Sequence, residues 1–129
     1  MKKINVTPLI GFSNVAFGMP RDIVRKNLGE FRVFMKSAMT SEFTDDFGFC
    51  HVFYNTQEEF EAVEFFSETE ITIGENVIMP GKIDAAMVLF DDLHEEEGSF
   101  ISKAKSIGIT IGNDGWIESI LFGADKYYQ

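Results

Sequence analysis

Cysteine, basic charge and long apolar runs are all scarce in this chain, and each shortage excludes something. Cys50 is the one cysteine among 129 residues, so no internal disulfide framework exists and a reducing compartment is expected. No apolar run approaches the roughly 18 residues of a membrane-spanning helix. The opening Met1-Lys2-Lys3 is followed by Ile4-Asn5-Val6-Thr7-Pro8, which is short and polar-broken and does not read as an export signal. The expectation is a mature chain working in the cytoplasm without membrane contact. Lysine and arginine total 11 against 21 acids, a formal net charge of -10. That balance argues against nucleic acid as a direct ligand, because phosphates call for basic surface. A catalytic motif is missing as well.

What is present suits one globular domain over residues 1–129. Hydrophobic residues make up 45% and charged residues 25%, and a chain of this size buries roughly two-thirds of its unfolded surface. The charge is uneven. Residues 1–36 carry seven basic and two acidic side chains, whereas 37–100 carry sixteen acids and the single base Lys82. An acidic block of this kind is either a solvated face that maintains solubility or a docking surface that steers a basic partner.

Gly18–Gly29 predicts a short helix: Pro20 suits its start, Asp22 the positive end of the dipole, and Gly29 its stop. A second helix is expected over Ile83–Leu93, with Ile83, Met87, Phe90 and Ala86 inward. Strands are expected at Ile4–Val6, Phe31–Met35, Phe49–Tyr54, Phe60–Phe66, 70–73, 77–79, Phe100–Lys103, Ser106–Ile111 and Trp116–Phe122. Residues 10–17, Thr44–Gly48 and His94–Gly98 read as loops or turns, and Asn113-Asp114-Gly115 as the strongest turn.

The order helix, strand, strand, turn, strand occurs twice, about 18–73 and 79–123. Phe49–Asn55 lies over Ile107–Asn113 at an offset of 58, and Phe60–Val63 over Ile117–Ile120 at 57. The fold class this implies is α+β, an antiparallel sheet with two helices on one face. Its core would hold Phe49, Phe53, Val63, Phe65, Ile107, Ile109, Ile111, Ile120 and Phe122 under Ile23, Leu28, Met87 and Phe90. Val52, Tyr54, Glu61, Glu64 and Glu118 would line an opposite face open to solvent or a partner.

The Gly18–Gly29 segment, with Gly18, Met19, Val24, Leu28 and Gly29 in place, resembles the G-M-x-x-x-x-V-x-x-x-L-G helix of small αβ modules. These include the SmpA/OmlA outer-membrane assembly lipoproteins and the tandem β-lactamase inhibitor proteins. The lipoproteins carry an export signal and a lipid-attachment cysteine near the start, and neither is seen here. The resemblance implies a doubled helix-on-sheet binding module. Small size, acidity and the lack of catalytic residues resemble, as a profile, bacterial immunity proteins that neutralise nuclease toxins in contact-dependent or related systems.

Several residues invite a chemical reading. His51 sits mid-strand and reads as structural, and Cys50 beside it points to the other face, so the two form no nucleophile pair. His94-Glu95-Glu96-Glu97, and Asp45-Asp46 with Glu58-Glu59, lack metal-loop spacing. Gly108, Gly112 and Gly115 lie in strand and hairpin, where no phosphate loop forms. No cofactor or metal is expected. The function expected is a non-enzymatic acidic binding protein, a monomer that neutralises a basic toxin. Its contact residues would be Asp45, Asp46, Glu58, Glu59, Asp91, Asp92, Glu95, Glu96 and Glu97, with Trp116 as an aromatic anchor and Tyr127 and Tyr128 as lesser ones. Two alternatives are a ligand-binding or enzymatic module with a pocket between sheet and helices, and a structural accessory subunit.

Overall fold

The computed structural model describes residues 1–35 and 43–129. In chain order the elements are β1 (Lys2–Thr7), β2 (Gly11–Phe12), β3 (Val15–Ala16), α1 (Arg21–Leu28), β4 (Arg32–Met35), β5 (Phe43–Asp46), β6 (Cys50–Tyr54) and β7 (Phe60–Phe66). They continue with β8 (Thr69–Ile73), β9 (Asn76–Met79), α2 (Ile83–Leu89), β10 (His94–Glu96), β11 (Ser99–Ser102), β12 (Ile107–Ile111) and β13 (Ile117–Gly123). The chain is predominantly β, with two short helices and mostly antiparallel sheets, so it is not clearly the helix-covered α+β sheet expected.

One sheet has eight antiparallel strands in the order β10-β11-β12-β13-β7-β6-β5-β4. A second has five, β3-β2-β1-β8-β9, and within it β1 and β8 run parallel, Ile4 opposite Ile71. Nothing local in the sequence announces that long-range pairing. The eight-stranded sheet is two four-stranded meanders, each following a helix and joined last strand to last strand by β13 and β7. The halves match in detail. Cys50 pairs Phe65 as Ile107 pairs Phe122, and Val52 pairs Val63 as Ile109 pairs Ile120. The β-bulges at Phe53/Tyr54 and Thr110/Ile111 coincide too. All of these stand 57 residues apart. The helices stand 62 apart, and their fully buried residues are Val24 and Ala86.

That register corrects the expected faces. An offset of 58 sets Phe49 over Ile107; the true partner is Cys50, and a one-residue slip exchanges the two faces of a strand. Val52 and Tyr54 therefore lie in the core, while Phe49 and Phe53 are half-buried. On the helices, Ile23 and Met87 are exposed and Val24 and Ala86 take the inner positions. The second helix stops at Leu89, with Phe90 extended and Leu93 beyond it. The acidic stretch expected to be a loop is β10 plus a tight turn. The segment expected as a turn at Thr44–Gly48 begins in β5, and 10–17 holds β2 and β3.

The core is one cluster that includes Phe60, Phe65, Phe122, Ile107, Ile109 and Ile120 from the large sheet and Ile71, Ile78 and Met79 from the small one. Phe12 of β2 bridges them, its ring edge-on to Phe60 and Phe65. The other face of the large sheet is not simply open. The C-terminal tail folds back on it, with Tyr128 against Gly108 and Tyr127 against Gly123.

Candidate functional site

Of the acids expected to form one docking face, Asp45 is removed by the fold. It is fully buried at β5. Its carboxylate accepts two hydrogen bonds from Arg25, at Nε and Nη2, both 2.8 Å, and a third from the Tyr54 hydroxyl at 2.8 Å. Arg25 reaches it from α1, with its guanidinium carbon 4.3 Å from the centre of the Phe31 ring. The hydrogen bond to Asp45 raises the Arg25 pKa, and burial followed by its own hydrogen bond to Asp45 pushes Tyr54 above the ordinary phenol value. A bidentate pair on a buried carboxylate fixes the helix against the sheet, and Asp45 offers nothing to a partner.

The other acids divide into two groups at distant places. Asp46, Glu58 and Glu59 belong to the first meander. Asp46 accepts from the Gly48 N–H and stands 3.7 Å from His51 Nε2. Glu58 reaches Arg21 at 3.4 Å, and Glu59 accepts from Asn55 Nδ2. Asp91, Asp92, Glu95, Glu96 and Glu97 belong to the loop after α2, the edge strand β10 and its turn, and all are exposed. Six strand spacings separate β10 from β5, about 29 Å. The antiparallel β7–β13 seam sets the Asn55–Glu59 and Gly112–Trp116 turns at opposite ends of the sheet. One continuous acidic face therefore does not form.

The α2–β10 group is the coherent one. Trp116, 47% exposed, pairs through the backbone with Lys82 at the start of α2, and the Lys82 ammonium lies over its ring. The β12–β13 register puts Trp116 at the same sheet end as Glu96 and Glu97. Asp92 is the internal brace. Its carboxylate accepts from the Ser102 hydroxyl at 2.7 Å and the Ala104 N–H at 3.0 Å, and these bonds lower its pKa. His94 is held by the Asp92 carbonyl through Nδ1 and by Glu96 through Nε2. The carbonyl and then the carboxylate raise its pKa, so the doubly protonated ring is favoured.

The remaining chemical candidates stand apart from this group. Cys50 is fully buried, and burial pushes its thiol far above the usual range, so it is no thiolate nucleophile. His51 packs edge-on against Phe66. No three His, Cys, Asp or Glu side chains converge as metal ligands among the described residues. A cleft of about 600 Å3 opens beside β1–β3, lined by residues such as Asn5, Thr7, Ser13 and Asn14 and, among the described residues, by no titratable side chain.

Sequence reasoning missed the partner of Asp45, because Arg25 lies 20 residues earlier and its charge fits the positive N-terminal stretch equally well. It also placed Met87 on the inner face of the second helix, where the structure has it exposed beside Val88. Comparison of the chain with protein-family models, curated proteins and solved structures gave no match.

Proposed function

We propose that this chain is a non-enzymatic acidic binding protein that neutralises a basic protein, in the manner of a cytoplasmic immunity protein facing a nuclease toxin. The observation that carries this is the composition of the α2–β10 end. Between Ile83 and Glu97 there are six acids and no lysine or arginine. Asp91 follows the end of α2, Glu95 and Glu96 lie on the edge strand β10 and Glu97 in its turn, with the Trp116 ring at the sheet end that carries Glu96 and Glu97. A nuclease holds its substrate with lysine and arginine. Carboxylates placed against those cations would block the substrate sterically and by charge, and the field would speed encounter.

The test uses the purified chain as bait in a lysate of its own organism, beside an Asp91→Lys, Glu95→Lys variant. Asp92 is left alone because it braces Ser102 and Ala104. The expected result is a basic protein recovered in near-equal amount, released by salt, and lost with the variant. Its own activity should fall when the wild-type chain is added back. Equal capture by wild type and variant would overturn the assignment.

A further inference from the structure

We infer that the exposed side of α2 is the apolar centre of a docking surface, and that its occupant is a basic amphipathic helix of the partner. The inference rests on the binding role proposed above and says which part of the acidic end makes contact.

Val88 is 81% exposed and Met87 46%. Asp84 lies one turn before them on α2, and Asp91 comes just past the end of the helix, so exposed carboxylates precede and follow the apolar pair in the chain. The internal repeat supplies the comparison. At the 62-residue offset, Met87 and Val88 occupy the positions of Arg25 and Lys26 in α1. Arg25 meets the buried Asp45, whereas the large-sheet register puts Phe100 opposite Ile109 where Asp45 stands opposite Val52. One copy of the unit is thus polar at these positions, with its arginine paired internally. The other is apolar and exposed at both helix positions.

The cations nearby sit at the ends of this surface. Lys82 is drawn over Trp116, and Lys103 lies by His94. An apolar centre inside a charged rim is the usual layout of a contact surface, and an acidic rim selects a basic partner. Strand addition at β10 is the poorer fit. The turn at Glu97 and Gly98, φ 50° and 87°, is of the I′ kind, so Glu96 and Ser99 face each other through hydrogen bonds. Of the three residues of β10, that leaves Glu95 alone with its backbone turned outward. A seven-residue helix about 10 Å long presents a stripe that another helix can cross.

The probe is a synthetic peptide of about 15 residues, with leucine at i, i+3, i+4 and i+7 and lysine elsewhere. A control peptide replaces each leucine with serine at the same charge. Binding is followed by amide shifts of the labelled chain at low salt. The leucine peptide should shift residues 84–96 and bind at least tenfold tighter than the serine peptide. Val88→Ser should weaken it by about fivefold to tenfold, because a central anchor is lost from a surface that stays folded. Equal binding of both peptides, or shifts centred on Asp46 and Glu58, would overturn the α2 surface and leave the acidic binding role standing. No binding of either peptide would overturn both.

Discussion

Gly108 and Gly123 are seats for aromatic rings. Neither needs unusual backbone angles; each needs empty space above the sheet. A methyl at Gly108 would run into the Tyr128 hydroxyl, with the ring Cζ at 2.9 Å. A methyl at Gly123 would lie 2.5 Å from both Cβ and Cγ of Tyr127. The first obstacle is the far end of a ring, and the second begins beside the backbone. Gly108→Ala should therefore destabilise by about 1–2 kcal/mol, and in a Tyr128→Ala background it should become neutral or favourable by about 0.5 kcal/mol. Gly123→Ala should cost more and gain little from Tyr127→Ala, because the offending Cβ remains. Urea midpoints of the four single and two double variants decide it, and an unrescued Gly108→Ala would mean that Tyr128 does not occupy that seat. The sequence showed the two tyrosines as possible contact residues. It could not show that two strand glycines had been left bare for them.

Two turns occupy the same place in the two halves, and they solve one backbone problem with different residues. Asn55 N–H bonds the Glu59 carbonyl and Glu58 N–H the Asn55 carbonyl, both at 2.9 Å; Gly112, Gly115 and Trp116 repeat that pattern. The residue turned to positive φ is Glu58 at 62° in one and Gly115 at 84° in the other. A glutamate there carries strain that glycine lacks. Glu58→Gly should stabilise by about 0.5–1 kcal/mol, since the exposed pair with Arg21 offsets little, and Gly115→Glu should destabilise by about 1–2 kcal/mol. Thermal midpoints moving the same way for both would show the equivalence to be wrong. The sequence made Asn113-Asp114-Gly115 legible as a turn, along with both helix starts and most strand positions. It misplaced one face of β6, because the repeat was aligned through the aromatic Phe49. The buried positions of that strand are Cys50, Val52 and Tyr54, a small, a medium and a hydroxyl-bearing residue that hydropathy ranks below phenylalanine. The β1–β8 pairing stayed hidden for a different reason: its residues stand 67 apart with no turn between them to set the register.

At the scale of the whole molecule, the buried groups set how stability responds to alkali. Burial raises the Cys50 thiol and, together with the hydrogen bond to Asp45, the Tyr54 phenol; burial and the neighbouring Tyr127 lift Tyr128 to about 12. Each group stays neutral in the fold at a pH where the unfolded chain has already released its proton. Their stabilisation is therefore complete below the ordinary values, 9.0 for the thiol and 10.0 for the phenols, and drains away as pH rises past them. The contribution of these three groups should hold level from neutrality to about pH 8.5 and then fall, each giving a slope of at most about 1.4 kcal/mol per pH unit. The steepening should come in two stages, the thiol first and the phenols about one unit later. Cys50→Ala separates them. Removing a buried thiol lowers stability at every pH, but it should also flatten the curve between pH 9 and 10, leaving only the later fall. Urea titrations of wild type and variant at half-unit steps read the slopes directly. The same early slope in both would mean that the thiol ionises freely in the fold, and that β6 does not bury the face on which Cys50, Val52 and Tyr54 lie.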